Sequence, residues 1–155
     1  MNKKNILLIF GFGYTAKFMC QKFSKKNWEV FCTTRFKEKA KEIKSLNATQ
    51  FFFDDGKKIE SILRKNSYIL STVPPENGKD PVIENYGYLF KKNGERIKWA
   101  GYLSTTSVYG DKKGGWVTED TVLEPNLERS ISRVAAEKSW LRFGEKFSIK
   151  TMIFR

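Results

Sequence analysis

The stretch Ile6–Ala16, ILLIFGFGYTA, decides the fold of this 155-residue chain. Its five apolar residues Ile6–Phe10 are typical of a parallel strand that is covered on both faces. Gly11 allows a tight turn at the end of that strand, and the missing side chain of Gly13 lets the backbone approach a pyrophosphate closely. An amphipathic stretch follows at once, and small Ala16 lets the new helix pack against the strand. Strand, glycine turn and helix in this order predict a dinucleotide-binding unit.

Strand and helix patterns alternate through the rest of the chain, without a linker, a repeat or a low-complexity tract. The predicted strands are Ile6–Phe10, Glu29–Thr33, Gln50–Phe53, Tyr68–Thr72, Trp99–Ser104 and Ile149–Phe154. Helical spacing gives four apolar faces and a weaker helical pattern over Lys37–Leu46. The faces are Ala16, Met19, Cys20 and Phe23; Ile59, Ile62 and Leu63; Ile83, Tyr86 and Phe90; and Ile131, Val134, Ala135, Lys138 and Leu141.

Six strands with helical crossovers predict one α/β domain over residues 1–155, a doubly wound parallel sheet of the Rossmann type with strand order 3-2-1-4-5-6. Two long loops, Pro74–Pro81 and Gly110–Asn126, leave the carboxyl ends of the fourth and fifth strands. Ligands bind at that edge of the sheet in this architecture. Both loops are therefore expected to border a site.

The composition narrows the classes of function. The formal charge of +12 is spread over every segment, which favours a solvated lysine-rich surface over a nucleic-acid interface. No apolar run is as long as a membrane span. The start MNKKNILLIF superficially resembles a signal peptide, but its apolar part is short and turn chemistry follows it, so we interpret it as the first strand of a cytoplasmic protein.

Histidine is absent, which excludes Ser-His-Asp and Cys-His catalysis and nearly all common zinc sites, and no metal site is predicted. The two cysteines, Cys20 and Cys32, fall in a predicted helix and a predicted strand. Buried thiols are favoured for them over a disulfide or a metal-binding pair.

Four blocks of sequence, in this order and at this spacing, carry a family resemblance: GFGYTA, STVPP at Ser71–Pro75, YLSTTSVYGD at Tyr102–Asp111, and VTEDTVLEP leading into SRVAAEKSWL. The chain resembles the extended branch of the short-chain dehydrogenase/reductase superfamily, the NAD-dependent epimerase/dehydratase proteins. Its glycine motif is GxGxxA, where that branch usually has GxxGxxG. Extended members continue beyond the point that corresponds to Met152–Arg155, so the resemblance implies the Rossmann portion with the C-terminal substrate lobe absent.

The resemblance implies a dinucleotide held by residues at several strand ends. These are Gly11, Phe12, Gly13, Tyr14, Thr15 and Ala16 in the glycine motif, Thr34 and Arg35 after the second strand, Asp54 after the third, and Ser71, Thr72, Val73 and Pro74 after the fourth. NAD-specific units carry an acidic residue where this chain has Arg35, and a guanidinium can hold a 2′-phosphate bidentately. The sequence therefore favours NADP(H) over NAD(H). A solvent-facing Arg35, an N-cap role for Asp55 and a strand stop at Pro74-Pro75 are the structural alternatives.

Hydride-transferring members use a Ser or Thr, a Tyr, and a Lys four residues after the Tyr. Alignment on the VYG motif puts Thr105 in the Ser/Thr role. The Tyr and Lys positions fall on Arg129 and Arg133, which cannot exchange protons near neutral pH. They can bind a phosphate or carboxylate of a substrate, with surface residues of the helix as the alternative. Tyr109 is the remaining candidate proton carrier, with a packed loop anchor as the alternative.

Two functions therefore stay open. The first is an NAD(P)-dependent oxidoreductase or epimerase acting on a nucleotide-linked sugar or another hydroxylated substrate. The second is a non-catalytic NAD(P)-binding sensor or partner subunit, which Arg129 and Arg133 favour. An apolar face left by the absent lobe predicts a homodimer. Nucleic-acid binding lacks any aromatic-basic motif.

Overall fold

The computed structural model describes residues 4–23, 25 and 27–155; the first three residues of the basic start discussed above lie outside them. Within this part of the chain, six parallel strands form one sheet in the order β3-β2-β1-β4-β5-β6. The strands are β1 Asn5–Phe10, β2 Trp28–Thr34, β3 Thr49–Phe52, β4 Ser67–Ser71, β5 Ile97–Leu103 and β6 Thr151–Phe154. The predicted doubly wound Rossmann sheet and its strand order are confirmed.

Five α-helices connect the described strands, with short 3₁₀ turns at Lys37–Lys39, Gly94–Arg96 and Thr106–Tyr109. The helices are α1 Tyr14–Phe23, α2 Ala40–Ser45, α3 Gly56–Leu63, α4 Pro81–Asn93 and α5 Glu128–Phe147. The single helix expected over Lys37–Leu46 is a 3₁₀ turn followed by the short α2. Its pattern was weak because it offers little apolar surface, and only Ile43 of these residues is buried.

The central strand β1 separates two cores. Side chains of a strand alternate between the two faces of the sheet. Ile6, Leu8 and Phe10 accordingly pack with α3, α4 and α5 on one face. Leu7 and Ile9 pack with α1 and α2 on the other. All five are at most 5% exposed, and burying such a side chain contributes roughly 1.5–3 kcal/mol.

The second core also contains the two cysteines. Cys20 of α1 and Cys32 of β2 are both fully buried, with their sulfur atoms 3.2 Å apart. That separation is a hydrogen-bond contact between thiols. The hydrogen bond with the Cys20 thiol, and after it burial, raise the pKa of Cys32, so this side chain stays protonated. The interpretation as buried thiols agrees with this geometry.

The predicted apolar face of α5 is wrong. Of its five residues, Ile131, Lys138 and Leu141 are exposed and the other two, Val134 and Ala135, are half-buried. The buried side of the helix contains Ser130, Ala136, Glu137, Trp140 and Gly144. Gly144 lets the helix approach β6 closely, because a Cβ there would lie 2.3 Å from the Thr151 hydroxyl oxygen. Hydrophobic spacing did not identify the buried side of α5, because most residues on that side are small, polar or charged.

Candidate functional site

Gly11 shapes the turn that leaves β1. Its φ angle is +95°, a conformation that favours glycine. A Cβ at this position would lie 2.6 Å from the Thr72 hydroxyl oxygen. The Gly11 N–H donates to the Thr33 hydroxyl at 3.0 Å. Gly11 is therefore required by the protein itself, as the predicted tight turn demands.

Gly13 differs from Gly11 because there is open space where its side chain would be. A Cβ built on Gly13 would meet no atom within 4 Å, and its φ is not in the left-handed region. The Gly13 carbonyl accepts the first hydrogen bond of α1, from the Lys17 N–H at 3.1 Å, so Gly13 is the N-cap of that helix. The first N–H groups of a helix have no partner inside it and attract anions. Space and donors for a phosphate therefore meet at this residue.

The other residues of the glycine motif divide between surface and core. Tyr14 is 90% exposed, and Ala16 is fully buried in the second core. Phe12 and Thr15 are half-buried. Ala16 therefore packs α1 against the sheet as predicted. Phe12 and Gly13 line the cleft described next, whereas Tyr14 and Thr15 line none of the three cavities described below.

A cleft of about 380 Å³ runs along the carboxyl ends of the strands next to this turn. It is bounded by the glycine turn, the end of β2, the residue after β3 and the segment after β4. The lining includes Gly11, Phe12, Gly13, Thr33, Thr34, Arg35, Phe36, Lys39, Phe53, Thr72, Val73, Pro74 and Glu76. Largely apolar walls with a few convergent polar groups are typical of cofactor clefts. Most of the predicted cofactor-binding residues are brought together here.

The end of β2 carries positive charge into this cleft. Arg35 and Lys39 line it, and Arg35 and Lys37 also line an adjoining cavity of about 510 Å³. A guanidinium nitrogen of Arg35 lies 3.6 Å from a Glu76 carboxylate oxygen, with side chains 70% and 57% exposed. Exposed ion pairs of this kind contribute little to stability. Arg35 therefore faces the site, with a weakly held acidic neighbour.

Thr34 is buried, and its hydroxyl accepts from the Phe36 N–H at 3.1 Å. It therefore shapes the turn after β2 while forming part of the cleft wall. Its neighbour Thr33, which no sequence pattern singled out, contacts the glycine turn directly. The Thr33 hydroxyl anchors the glycine turn through Gly11.

The two aspartates after β3 have different roles. Asp55 caps α3, since its carboxylate accepts from the Lys58 N–H at 3.1 Å and pairs with the Lys58 ammonium at 2.9 Å. These contacts lower the pKa of Asp55. The N-cap alternative is thus correct for Asp55. Asp54 is exposed and lines the adjoining cavity beside Arg35.

The segment after β4 forms the floor of the cleft. The N–H and hydroxyl of Thr72 both donate to the Phe10 carbonyl, at 2.9 and 3.0 Å. Val73 and Pro74 line the cleft. Ser71 is fully buried, and its hydroxyl has no hydrogen-bond partner among the described residues. Ser71 lies behind the wall formed by the other three.

A third cavity, of about 550 Å³, lies between the residues after β5 and the first turns of α5. Pro74 lines both this cavity and the cleft, so the two adjoin. The residues that line the third cavity are Pro74, Pro75, Asn77, Thr105, Ser107, Glu128, Arg129, Ser132 and Arg133. The structure therefore places Thr105, Arg129 and Arg133 along one cavity.

Thr105 belongs to a small cluster of hydroxyl groups. Its hydroxyl accepts from the Ser107 N–H at 3.2 Å, capping the 3₁₀ turn, and lies 3.2 Å from the Ser107 hydroxyl. The Ser130 hydroxyl donates to Ser107 at 2.9 Å. The cluster fixes the position of Thr105 at the edge of the cavity.

Arg133 is held by the end of β5. One guanidinium nitrogen donates to the Leu103 carbonyl at 2.8 Å and to the Tyr102 hydroxyl at 3.2 Å. Tyr102 is fully buried and stacks on Trp140, and burial raises its pKa to about 12. The phenol is therefore a structural support for Arg133 and stays protonated near neutral pH.

Tyr109 lies outside the third cavity. It is 6% exposed, and its hydroxyl accepts from an Arg155 guanidinium nitrogen at 3.1 Å. This environment matches the alternative of a packed loop anchor. Of the two predicted catalytic residues, Thr105 alone lines the cavity.

A buried ion pair between Glu137 and Arg155 connects α5 with the end of β6, and no sequence pattern predicted it. Glu137 is 2% exposed and accepts from Arg155 at 2.8 to 3.2 Å and from the Ser104 hydroxyl. Arg155 also donates to the Glu119 carbonyl of the long loop at 3.1 Å. The pairing raises the pKa of Arg155 further above its usual range. Glu137 lies four residues after Arg133, but nothing in the sequence pairs it with Arg155.

The described residues include no group of three or more His, Cys, Asp or Glu side chains that could hold a metal ion. No helix among them combines the length and the apolar character needed to cross a lipid bilayer.

Several solved structures are similar to this chain. The chain aligns with a conserved protein of unknown function from Silicibacter pomeroyi, at 30% identity and a TM-score of 0.84, over 98% of this chain and 53% of that one. It also aligns with UDP-glucuronic acid 4-epimerase from Bacillus cereus in complex with NAD, at 22% identity and a TM-score of 0.72, over 97% and 56% of the two chains. A third match is dTDP-glucose 4,6-dehydratase from Bacillus anthracis in complex with NAD, at 19% identity and a TM-score of 0.71, over 96% and 53%.

The chain thus spans about half the length of the structures it matches. No family model matches the sequence, and neither does any curated protein. The resemblance to NAD-dependent epimerases and dehydratases is confirmed at the level of the fold: this chain has the Rossmann portion that those structures share.

Proposed function

We propose that this chain binds a nicotinamide dinucleotide in the cleft beside the glycine turn, as the nucleotide-binding portion of an oxidoreductase or epimerase. The observation that carries the proposal is the pair of glycines. Gly11 is required by the fold, whereas the space at Gly13 serves no contact within the described protein. A vacant approach to the N-terminus of a ten-residue helix fits a pyrophosphate.

The remaining cofactor-binding residues are assigned by their place along the cleft. Phe12, Tyr14 and Thr15 border the pyrophosphate position, with Ala16 holding α1 against the sheet. Asp54 lies on the side of the adenine. Thr72, Val73 and Pro74 form the floor towards the nicotinamide ribose, with Ser71 buried next to them, and Thr34 forms part of the wall at the end of β2. A bound nicotinamide dinucleotide would supply the acceptor or donor of a hydride.

We assign NADP(H) in preference to NAD(H). Arg35 lines both the cleft and the adjoining cavity, Lys39 lines the cleft and Lys37 lines the adjoining cavity, and the adenosine ribose of this fold binds at the end of β2. A guanidinium fork matches a 2′-phosphate, and Arg35 stands directly after β2, where NAD-specific units carry an acidic residue. Glu76 opposes this preference, because it already partly neutralises Arg35.

Thr105 is the residue we assign to the substrate. Its hydroxyl lies at the edge of a cavity that adjoins the cleft through Pro74 and can hydrogen-bond a substrate oxygen. The substrate class is a nucleotide-linked sugar or another hydroxylated molecule. The matched epimerase and dehydratase act on UDP-glucuronic acid and dTDP-glucose respectively, which supports this class.

The second candidate function is a non-catalytic NAD(P)-binding sensor or partner subunit. Two observations favour it. Arg129 and Arg133 occupy the positions of the family's Tyr and Lys, and an arginine cannot serve as a proton donor and acceptor near neutral pH. The other candidate proton carrier, Tyr109, is buried and hydrogen-bonded to Arg155.

A titration of the purified 155-residue chain with NADPH and NADH, followed by tryptophan fluorescence, tests cofactor binding. We expect NADPH to bind at least about tenfold more tightly than NADH, a difference of about 1.4 kcal/mol. Arg35→Asp should remove that preference, while Arg142→Asp, the same charge change at an exposed helical position that lines none of the three cavities, should keep it. Failure of both dinucleotides to bind would contradict the proposal, and equal affinities would contradict only the NADP(H) assignment.

Hydride transfer separates the two functions. An oxidoreductase or epimerase should change nicotinamide absorbance on addition of a suitable hydroxylated substrate, in single-turnover amounts of enzyme, and Thr105→Val should abolish that change without altering dinucleotide affinity. Dinucleotide binding with no change in absorbance across nucleotide-linked sugars and sugar acids would favour the sensor or partner subunit.

A further inference from the structure

We propose that Arg129 and Arg133 form an anion-binding subsite in the cavity beside Thr105, and that the substrate of this protein carries a carboxylate or phosphate group. The inference rests on the proposed function in one respect, that the occupant of this cavity is the substrate.

Arg133 is fixed in place before any ligand arrives. Its contacts to the Leu103 carbonyl and the Tyr102 hydroxyl use one guanidinium nitrogen, and its guanidinium carbon lies 5.8 Å from the centre of the Tyr102 ring. The other guanidinium nitrogens donate to no residue in the described part of the chain. A guanidinium that is anchored on one side keeps a donor edge for a planar or tetrahedral oxyanion.

Arg129 lies one helical turn earlier on α5, so the two side chains share a face. Its side chain has no hydrogen bond or ion pair with any other described residue. Both arginines line the same cavity of about 550 Å³. Two like charges on one face repel each other, and a shared anion relieves that repulsion.

The rest of the lining agrees with an oxyanion attached to a hydroxylated molecule. Thr105, Ser107 and Ser132 contribute hydroxyl groups, and Glu128 is the single acidic residue among the lining residues. The two arginines therefore leave the lining with a net positive charge. Asp80 does not line the cavity, and burial raises the pKa of its carboxyl group although the charge of Arg133 acts to lower it. The Asp80 carboxylate accepts hydrogen bonds from the Trp140 indole N–H and from the Val82 and Ile83 N–H groups at the start of α4.

In this subsite the two arginines bind an anion, whereas Tyr and Lys take part in proton transfer in the family that the chain resembles. An arginine keeps its proton at all physiological pH values, so it can position and neutralise an anion without exchanging a proton with it. The anion would hold the substrate at the Thr105 end of the cleft.

The test compares three ligands with the same sugar ring: D-glucose, D-glucuronate and D-glucose 6-phosphate. Each is titrated into the 155-residue chain, and the side-chain Nε–H signals of the arginines are followed by ¹⁵N NMR. We expect at least one of the two anions to bind at least about tenfold more tightly than glucose and to shift the signals of Arg129 and Arg133. The tighter of the two anions identifies whether the group is a carboxylate or a phosphate.

Arg129→Gln is the decisive variant, because Arg129 supports no other described residue, whereas Arg133 also holds Tyr102 and Leu103. It should weaken anion binding about tenfold, while the matched control Arg142→Gln on the same helix should leave it unchanged. Equal binding of the three sugars, or anion binding unchanged in Arg129→Gln, would overturn the subsite.

NADPH titrations of the same variants separate this inference from the proposed function. NADPH affinity should be unchanged in Arg129→Gln; a parallel loss of NADPH and anion binding would show that Arg129 holds a cofactor phosphate and would overturn the substrate assignment. Anion binding that persists in a chain unable to bind NADPH would refute the proposed function and leave the anion subsite standing.

Discussion

The cleft beside β1 and the cavity beside β5 are built from different materials. The cleft depends on backbone and on missing side chains, with Gly11 in a left-handed turn and open space at Gly13. The cavity depends on charged side chains, with Arg129 and Arg133 on its wall and the Glu137 ion pair behind it. A backbone-built site survives as long as the fold does, while a side-chain-built site can change its chemistry by substitution on the same fold.

Glu137→Gln is expected to have the largest effect. Removing the charge leaves Arg155 without its buried partner, and breaking such a pair costs about 3 kcal/mol. Urea unfolding monitored by circular dichroism would measure the loss. The matched control is Glu145→Gln at an exposed position of the same helix, with an expected change below about 0.5 kcal/mol. Equal stability of the two variants would mean that the cavity region is not held by this ion pair.

Gly13→Asp should lower dinucleotide affinity about a hundredfold without destabilising the protein, because its carboxylate would occupy and repel the pyrophosphate position. Aspartate is also a good N-cap residue, so α1 itself tolerates the change. Affinity comes from fluorescence titration and stability from thermal unfolding. Gly13→Asn supplies the control of the same shape without the charge, and should retain part of the affinity. Unchanged NADPH binding in Gly13→Asp would remove the glycine turn from the site.

Gly11→Ala should cost about 2 kcal/mol of unfolding free energy, since it combines a positive φ with a clash against Thr72. Gly78→Ala separates the two causes. Gly78 has a φ of +74° but no atom within 4 Å of the added Cβ, so that change should cost about 1 kcal/mol. Chemical denaturation of both variants measures the difference. A smaller loss for Gly11→Ala than for Gly78→Ala would contradict the close approach between the turn and Thr72.

Glu76→Gln should have the smallest effect, a gain of about twofold in NADPH affinity at low salt. The substitution releases Arg35 from an exposed ion pair that contributes about 0.5 kcal/mol. The gain should disappear at high salt, because exposed charges are screened. Glu84→Gln, which removes an exposed partner of Lys79 nearby, serves as the control. Weaker NADPH binding in Glu76→Gln would show that Glu76 contacts the cofactor directly.

The same contrast explains how far the sequence could predict the structure. The strand order and the glycine turn followed from apolar runs and from Gly11, because periodicity and backbone chemistry are local properties. The inner face of α5 could not be predicted, since Glu137 is buried only because a residue eighteen positions away neutralises it. That pairing is a tertiary contact with no local signal.

The site was predicted unevenly for the same reason. Alignment on the VYG motif assigned Thr105 and put the two arginines of α5 at the family's Tyr and Lys positions, and all three line one cavity. Hydrogen bonds decided the cases that alignment could not: the Tyr109 hydroxyl accepts from Arg155, and the Asp55 carboxylate caps α3. Thr33 was missed because a threonine in a strand carries no sign of its contact with the Gly11 N–H.

The most direct test of the central claim is a ¹⁵N NMR map of the labelled 155-residue chain titrated with NADPH. Binding in the cleft should shift the backbone amides of residues 11–16, Arg35 and Thr72, and the Nε–H signal of Arg35, in one saturable process. Amides of the cavity near Thr105 should shift less, because Pro74 stands between the two. Saturable shifts confined to another surface, or no shifts at millimolar NADPH, would contradict the account.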